Sequence, residues 1–171
     1  NALFPGTSVL LTRLRYILFI PWLYRRLESQ RDSGDIATAA RQMELTLIDA
    51  LAESDDPRGV IGVQARAALN RAASNVYWAA LVRWGVFVPR QSQAWYHTHF
   101  ASLLRNGRDV GRADDPGVTW TREPTWHPRL PKTPEGFPNE ASFALTREEA
   151  EFVQGRIGEG CPGTLLAWLA R

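Results

Sequence analysis

His97-Thr98-His99 is the only closely spaced histidine pair in the chain. Two positions apart on a helix, their imidazoles point about 200° apart and cannot chelate one ion, whereas on a strand they could. Trp95, Tyr96, Phe100, Leu103 and Leu104 recur along one helical face, so a helix from Ser92 to Asn106-Gly107 is predicted and no metal is expected there. His127, between Trp126 and Pro128, reads as a packed loop residue rather than a base. Cys161 is the single cysteine, in a glycine-rich break before Pro162, which excludes a disulfide framework and a thiolate metal cage. No nucleophile signature surrounds it. The carboxylate pairs Asp55/Asp56, Asp114/Asp115 and Glu148/Glu149 fall in turns or first helical turns, where acids are expected for structural reasons. Gly155 and Gly158 follow no strand and precede no Lys-Ser/Thr, so they do not make a phosphate loop. No catalytic residue and no cofactor is expected, and the reading leans away from an enzyme.

What remains is a candidate nucleic-acid surface. Gly59 to Leu69 reads as a short helix, Asn70 to Ala73 as a tight turn, and Ser74 as the cap of a second helix ended by Gly85, the favoured residue after a helix. Val86-Phe87-Val88 looks like a short strand before Pro89. Helix, turn, helix and short strand is the outline of a helix-turn-helix with the start of a wing. Phosphate contacts come from Arg, Ser, Asn and helix N-termini, and base contacts from the first residues of the second helix. The residues placed there are Arg66, Asn70, Arg71, Ser74, Asn75 and Trp78, with Arg83 further along. The same second helix carries Val76, Tyr77, Ala79, Ala80, Leu81 and Trp84, and reads equally as a core helix. Nineteen of the twenty basic residues are Arg, Lys132 being alone. Arg suits bidentate contact with phosphate, and a GC-rich genome explains the same bias.

The elements that must position these residues are organised around Gly6–Arg31. Phe4-Pro5-Gly6 signals a turn, Thr7 or Ser8 can cap a helix, and the apolar residues from Val9 to Leu27 are too many for one stripe. A core helix wrapped by the rest of the chain is expected. Its uninterrupted apolar run, Tyr16 to Tyr24, is too short for a membrane span, which needs about 20 apolar residues. Pro21 predicts a kink or a break near Ile20. Arg13, Arg15, Arg25 and Arg26 read as salt-bridged or snorkelling residues at the helix rim. Asp35 caps a second helix to about Glu53, with Arg41, Gln42, Glu44 and Asp49 on the wet side. From Arg108 to Glu140 six prolines exclude long helices, and Trp120, Trp126, Leu130 and Phe137 predict an ordered strap. Thr146-Arg147-Glu148-Glu149 is a capping box. The expected chain is mainly α and one domain. It has a helical core over 1–107 that includes the winged-helix-like unit 59–88, a proline- and tryptophan-rich strap over 108–140, and C-terminal helices over 141–171. The start at Asn1 and the finish inside a helix suggest a piece of a longer protein.

These residues carry a resemblance. Phe4-Pro5-Gly6-Thr7-Ser8, Thr12-Arg13, Arg15-Tyr16 and Phe19-Ile20-Pro21-Trp22 open it, and Gly59-Val60-Ile61-Gly62 and Ser74-x-Val76-Tyr77-Trp78 continue it. Trp126-His127-x-x-Leu130-Pro131 and Leu145-Thr146-x-Glu148-Glu149-Ala150 extend it nearly to the end. The chain resembles a bacterial family classed as a domain of unknown function. The resemblance implies a place beside helicases and phospholipase-D-like nucleases in anti-phage gene neighbourhoods, and brings no catalytic residues with it. The expected protein is a cytoplasmic, non-enzymatic defence component that contacts double-stranded DNA or docks a helicase or nuclease. The alternative is a pure protein–protein scaffold.

Overall fold

The computed structural model describes residues 2–30, 35–64, 71–106 and 124–171. Six α-helices run through them: α1 (Tyr16–Gln30), α2 (Ile36–Ala52), α3 (Ala73–Arg83), α4 (Gln93–Asn106), α5 (Arg147–Gly160) and α6 (Leu165–Leu169). No strand occurs among the described residues; Phe87 and Trp126 form an isolated antiparallel bridge.

α1 is the centre. Every residue from Tyr16 to Tyr24 is buried, as expected for a helix that is apolar all round. α2 and α3 pack on it, and the irregular segment after Pro124 closes it. There Phe137 stacks on Phe19 with ring centroids 5.6 Å apart, and the Trp22 indole N–H donates to the Pro131 carbonyl at 2.8 Å. Trp126, Leu130 and Phe137 are buried in this segment, while Trp120 and the rest of 108–123 lie outside the described residues.

Two expectations for α1 change. Of the kink or break expected at Pro21, the break does not occur: the helix runs through as one element. Proline removes one backbone donor and crowds the carbonyl four residues back, but packing on every side of Tyr16–Tyr24 keeps the helical path. The helix also starts at Tyr16, not at Thr7 or Ser8. Backbone groups before it find partners elsewhere: Arg13 N–H donates to the Tyr77 hydroxyl at 2.9 Å, which donates back to the Arg13 carbonyl at 2.7 Å. Thr12 Oγ1 donates to the Gly59 carbonyl at 2.6 Å. The segment therefore lies along α3 as turns, and Val9, read as core, is 99% exposed.

The other boundaries follow local chemistry. Asp35 Oδ1 accepts from Ala37 N–H at 3.1 Å and caps α2. Ser92 Oγ accepts from Trp95 N–H at the start of α4. Thr146 and Glu149 form the expected box on α5. Gly85, at φ +69°, takes the left-handed turn that ends α3. The expected helix over 59–69 is not seen where it is described: 59–64 hold turns and no helix, and 65–70 lie outside the described residues.

Candidate functional site

α3 is the element on which the sequence-derived site rests. Its N-terminus is made by the fold rather than by its own residues. The N-cap position is Ala72 and not the expected Ser74, which lies inside the first turn; Ala72 has no side-chain acceptor, and Asn75 Oδ1 accepts from Ala72 N–H at 3.2 Å. The donors of the first turn go instead to Glu44 of α2, whose carboxylate accepts from Ser74 N–H at 3.2 Å, from Ala73 N–H and from the Ser74 hydroxyl. An anion at a helix N-terminus is where the helix dipole favours it. Glu44 is only 4% exposed, which corrects its expected place on the wet side of α2. Burial raises its pKa above the ordinary carboxylate value, against the pull of those donors and of Arg41.

From Ser74 a polar network crosses to α1 and α4. The Gln93 side-chain amide donates to Ser74 Oγ at 2.8 Å and to the Tyr24 hydroxyl at 2.9 Å, and accepts from Asn75 Nδ2 at 2.6 Å. Tyr24 Oη lies 2.7 Å from His97 Nε2. Burial raises the Tyr24 pKa and lowers that of His97, so Tyr24 keeps its proton and donates it to a neutral imidazole. These residues line a cavity of about 420 Å3 between α2, α3 and α4.

The cavity thus gathers a histidine, a serine and a buried carboxylate, but not as an acid–base couple. Two donor arms leave Gln93, one through Ser74 to Glu44 and one through Tyr24 to His97. An amide N–H that donates to both hydroxyls does not pass protons between them. Ser74 gives its proton to Glu44, not to His97, so nucleophile and imidazole are not paired as acyl-transfer chemistry requires. What this arrangement does is hold α1, α2, α3 and α4 in register around the start of α3. His99 is engaged separately, with Nδ1 2.8 Å from the Trp95 carbonyl and its ring stacked on Trp95. No group of three or more His, Cys, Asp or Glu among the described residues is placed to hold a metal ion.

The six residues proposed for nucleic-acid contact separate. Arg66 and Asn70 lie outside the described residues. Ser74 and Trp78 face inward, Trp78 being 7% exposed with its indole N–H on the Gln91 carbonyl at 2.9 Å. Arg71 and Asn75 face solvent. Arg71 stands just before the N-cap of α3, and Asn75, Ala79 and Arg83 continue an exposed row at four-residue spacing along the side of α3 opposite the core. The arginines around α1 are mostly structural. Arg13 pairs with Asp56 at 2.6 Å, Arg15 pairs with buried Glu149 at 2.6 Å, and Arg26 donates to the Phe137 carbonyl. No helix among the described residues is long and apolar enough to cross a membrane.

A family model described as a family of unknown function, DUF6361, matches residues 1–171. The chain belongs to DUF6361. Neither a curated protein nor a solved structure matches it. Family membership therefore brings no activity, and the site is read from its geometry. Sequence reasoning missed Glu44, Gln93 and Tyr24. One signal was present, since an alanine at the start of α3 leaves first-turn donors for some other element to satisfy.

Proposed function

We propose that this DUF6361 chain is a non-enzymatic component of a prokaryotic anti-phage system that contacts double-stranded DNA through the outward face of α3. The observation that carries the reading is the exposed Arg71–Asn75–Ala79–Arg83 stripe. Arginines at its two ends suit phosphates, while the Asn75 amide between them is held by Ala72 and Gln93. Alanine between them lets a groove wall approach the helix closely. From Asn75 to Arg83 the stripe rises about 12 Å along the helix axis. In this reading α3, the turn at Gly85 and the Phe87–Trp126 bridge take the places of recognition helix and wing start in a winged-helix-like unit. Ser74 and Trp78 hold that helix from behind. The defence setting rests on the family resemblance, which is an association and not a mechanism, and the cytoplasmic location on the single cysteine.

Titration of short duplex DNA across a salt series tests this. Affinity should fall steeply with salt, and Arg71→Ala with Arg83→Ala should flatten the slope by roughly two phosphate contacts. Weak, salt-independent binding sinks the reading. A second reading, docking of a helicase or nuclease, is favoured by an exposed apolar surface. Trp168, 66% exposed, lies with Leu165 and Leu169 on α6, where Leu166 N–H bonds to the carbonyl of exposed Leu3. Co-purification with such a partner that Trp168→Ala abolishes would support docking.

A further inference from the structure

The C-terminal ends of α3 and α5 meet at a second cavity, of about 300 Å3, whose lining includes Arg83, Gly85, Arg90, Arg156, Glu159 and Gly160. Gly160 permits the meeting. A Cβ there would fall 2.7 Å from Trp84 Cα and 2.8 Å from the Arg83 carbonyl oxygen, closer than real contacts allow. Arg156 is buried beneath Gly85 and paired with Glu159. Arg129 reaches the same carboxylate from outside at 3.3 Å. Arg90 adopts φ 55°, the one positive φ outside glycine among the described residues. A non-glycine residue stays there only where its surroundings hold it. Here the turn also sets the Gln91 carbonyl over the Trp78 indole N–H.

The charge balance decides what the cavity accepts. Three arginines and one glutamate line the cavity beside two helix C-terminal ends, each worth about half a negative charge, which leaves its lining about one charge positive before Arg129 is counted. We infer that this cavity binds the phosphate group of a small phosphorylated molecule. Guanidinium forks match phosphate oxygens in bidentate pairs, and about 300 Å3 is at the small end of ligand sites. Glu159 occupies Arg156 in the free protein, and the incoming phosphate takes its place. The carboxylate therefore sets the affinity by competition.

The test is calorimetric titration of the whole chain with pyrophosphate, and with inorganic phosphate, at ionic strength held constant with chloride. Saturable one-to-one binding is expected. Arg90→Ala and Arg83→Ala, both at exposed positions that leave the buried Arg156 in place, should each weaken it at least tenfold. Glu159→Gln should tighten it several-fold. Absence of saturable binding, or binding that Arg90→Ala and Arg83→Ala leave unchanged, overturns the proposal, and so does weaker binding by Glu159→Gln. Arg71→Ala separates this site from the DNA reading: it should reduce DNA binding and leave pyrophosphate binding unaltered.

Discussion

α3 and α5 solve the same problem in opposite ways. Each helix starts with backbone N–H groups that have no partner within the helix. α5 meets the need locally, with Thr146 and Glu149 reciprocally bonded across three residues. α3 has Ala72 at the same position and borrows Glu44, thirty residues earlier on another helix. The borrowed cap does two jobs. It satisfies the first turn and it ties α2 to α3, so the start of the outward stripe is set by tertiary packing. The local cap is also enlisted by the fold, because Glu149 takes the buried Arg15 as well. Helix caps here are joints between helices, and the difference lies in how many residues each joint spans.

The largest test removes the α5 joint. Glu149→Ala leaves Arg15 buried without its carboxylate, and urea unfolding should show a loss of about 3–5 kcal/mol. Glu44→Ala breaks the α3 joint and leaves buried donors unpaired, for a loss of about 2–3 kcal/mol. In that background Ala72→Ser supplies a local acceptor and should restore about 1 kcal/mol. In the unaltered chain the same substitution should add nothing, since the donors are already taken; a gain there would mean that Glu44 is not the cap. Thr146→Ala should cost about 1 kcal/mol, because Glu149 keeps its Arg15 contact and only one cap bond is lost.

The smallest effect is the pH dependence of the α3 joint, where two groups pull in opposite directions. His97 is held below the ordinary imidazole value by burial. The unfolded chain therefore takes up a proton first, and stability is lost as the pH falls below about 6.5. Glu44 is held above the ordinary carboxylate value, so the folded chain takes up its proton first, and stability is gained as the pH falls through that raised value. Melting temperatures between pH 8 and 4.5 should show His97→Gln reducing the acid loss. His127, lowered mainly by burial, has the same sign and leaves a residue of that loss. Glu44→Gln should deepen the loss; an unchanged profile would mean that Glu44 titrates as an ordinary surface acid.

Much of the helical framework is written locally. Asp35, Ser92 and Thr146 mark the starts of α2, α4 and α5 because a short polar side chain bonds backbone groups two or three residues away. Gly85 marks the end of α3 because few other residues accept its φ. The unbroken apolar run Tyr16–Tyr24 marks the buried centre. The tertiary structure decided what depends on partners far along the chain. Residues 7–13 leave the helix because Tyr77 and Gly59 compete for their polar groups. α1 passes through Pro21 because packing on all sides outweighs one missing hydrogen bond. Glu44, in a sequence that reads as a solvent face, turns inward because Ala72 leaves the start of α3 without an acceptor. Local propensity extends only a few residues, whereas a buried donor accepts any partner that the fold brings within about 3 Å.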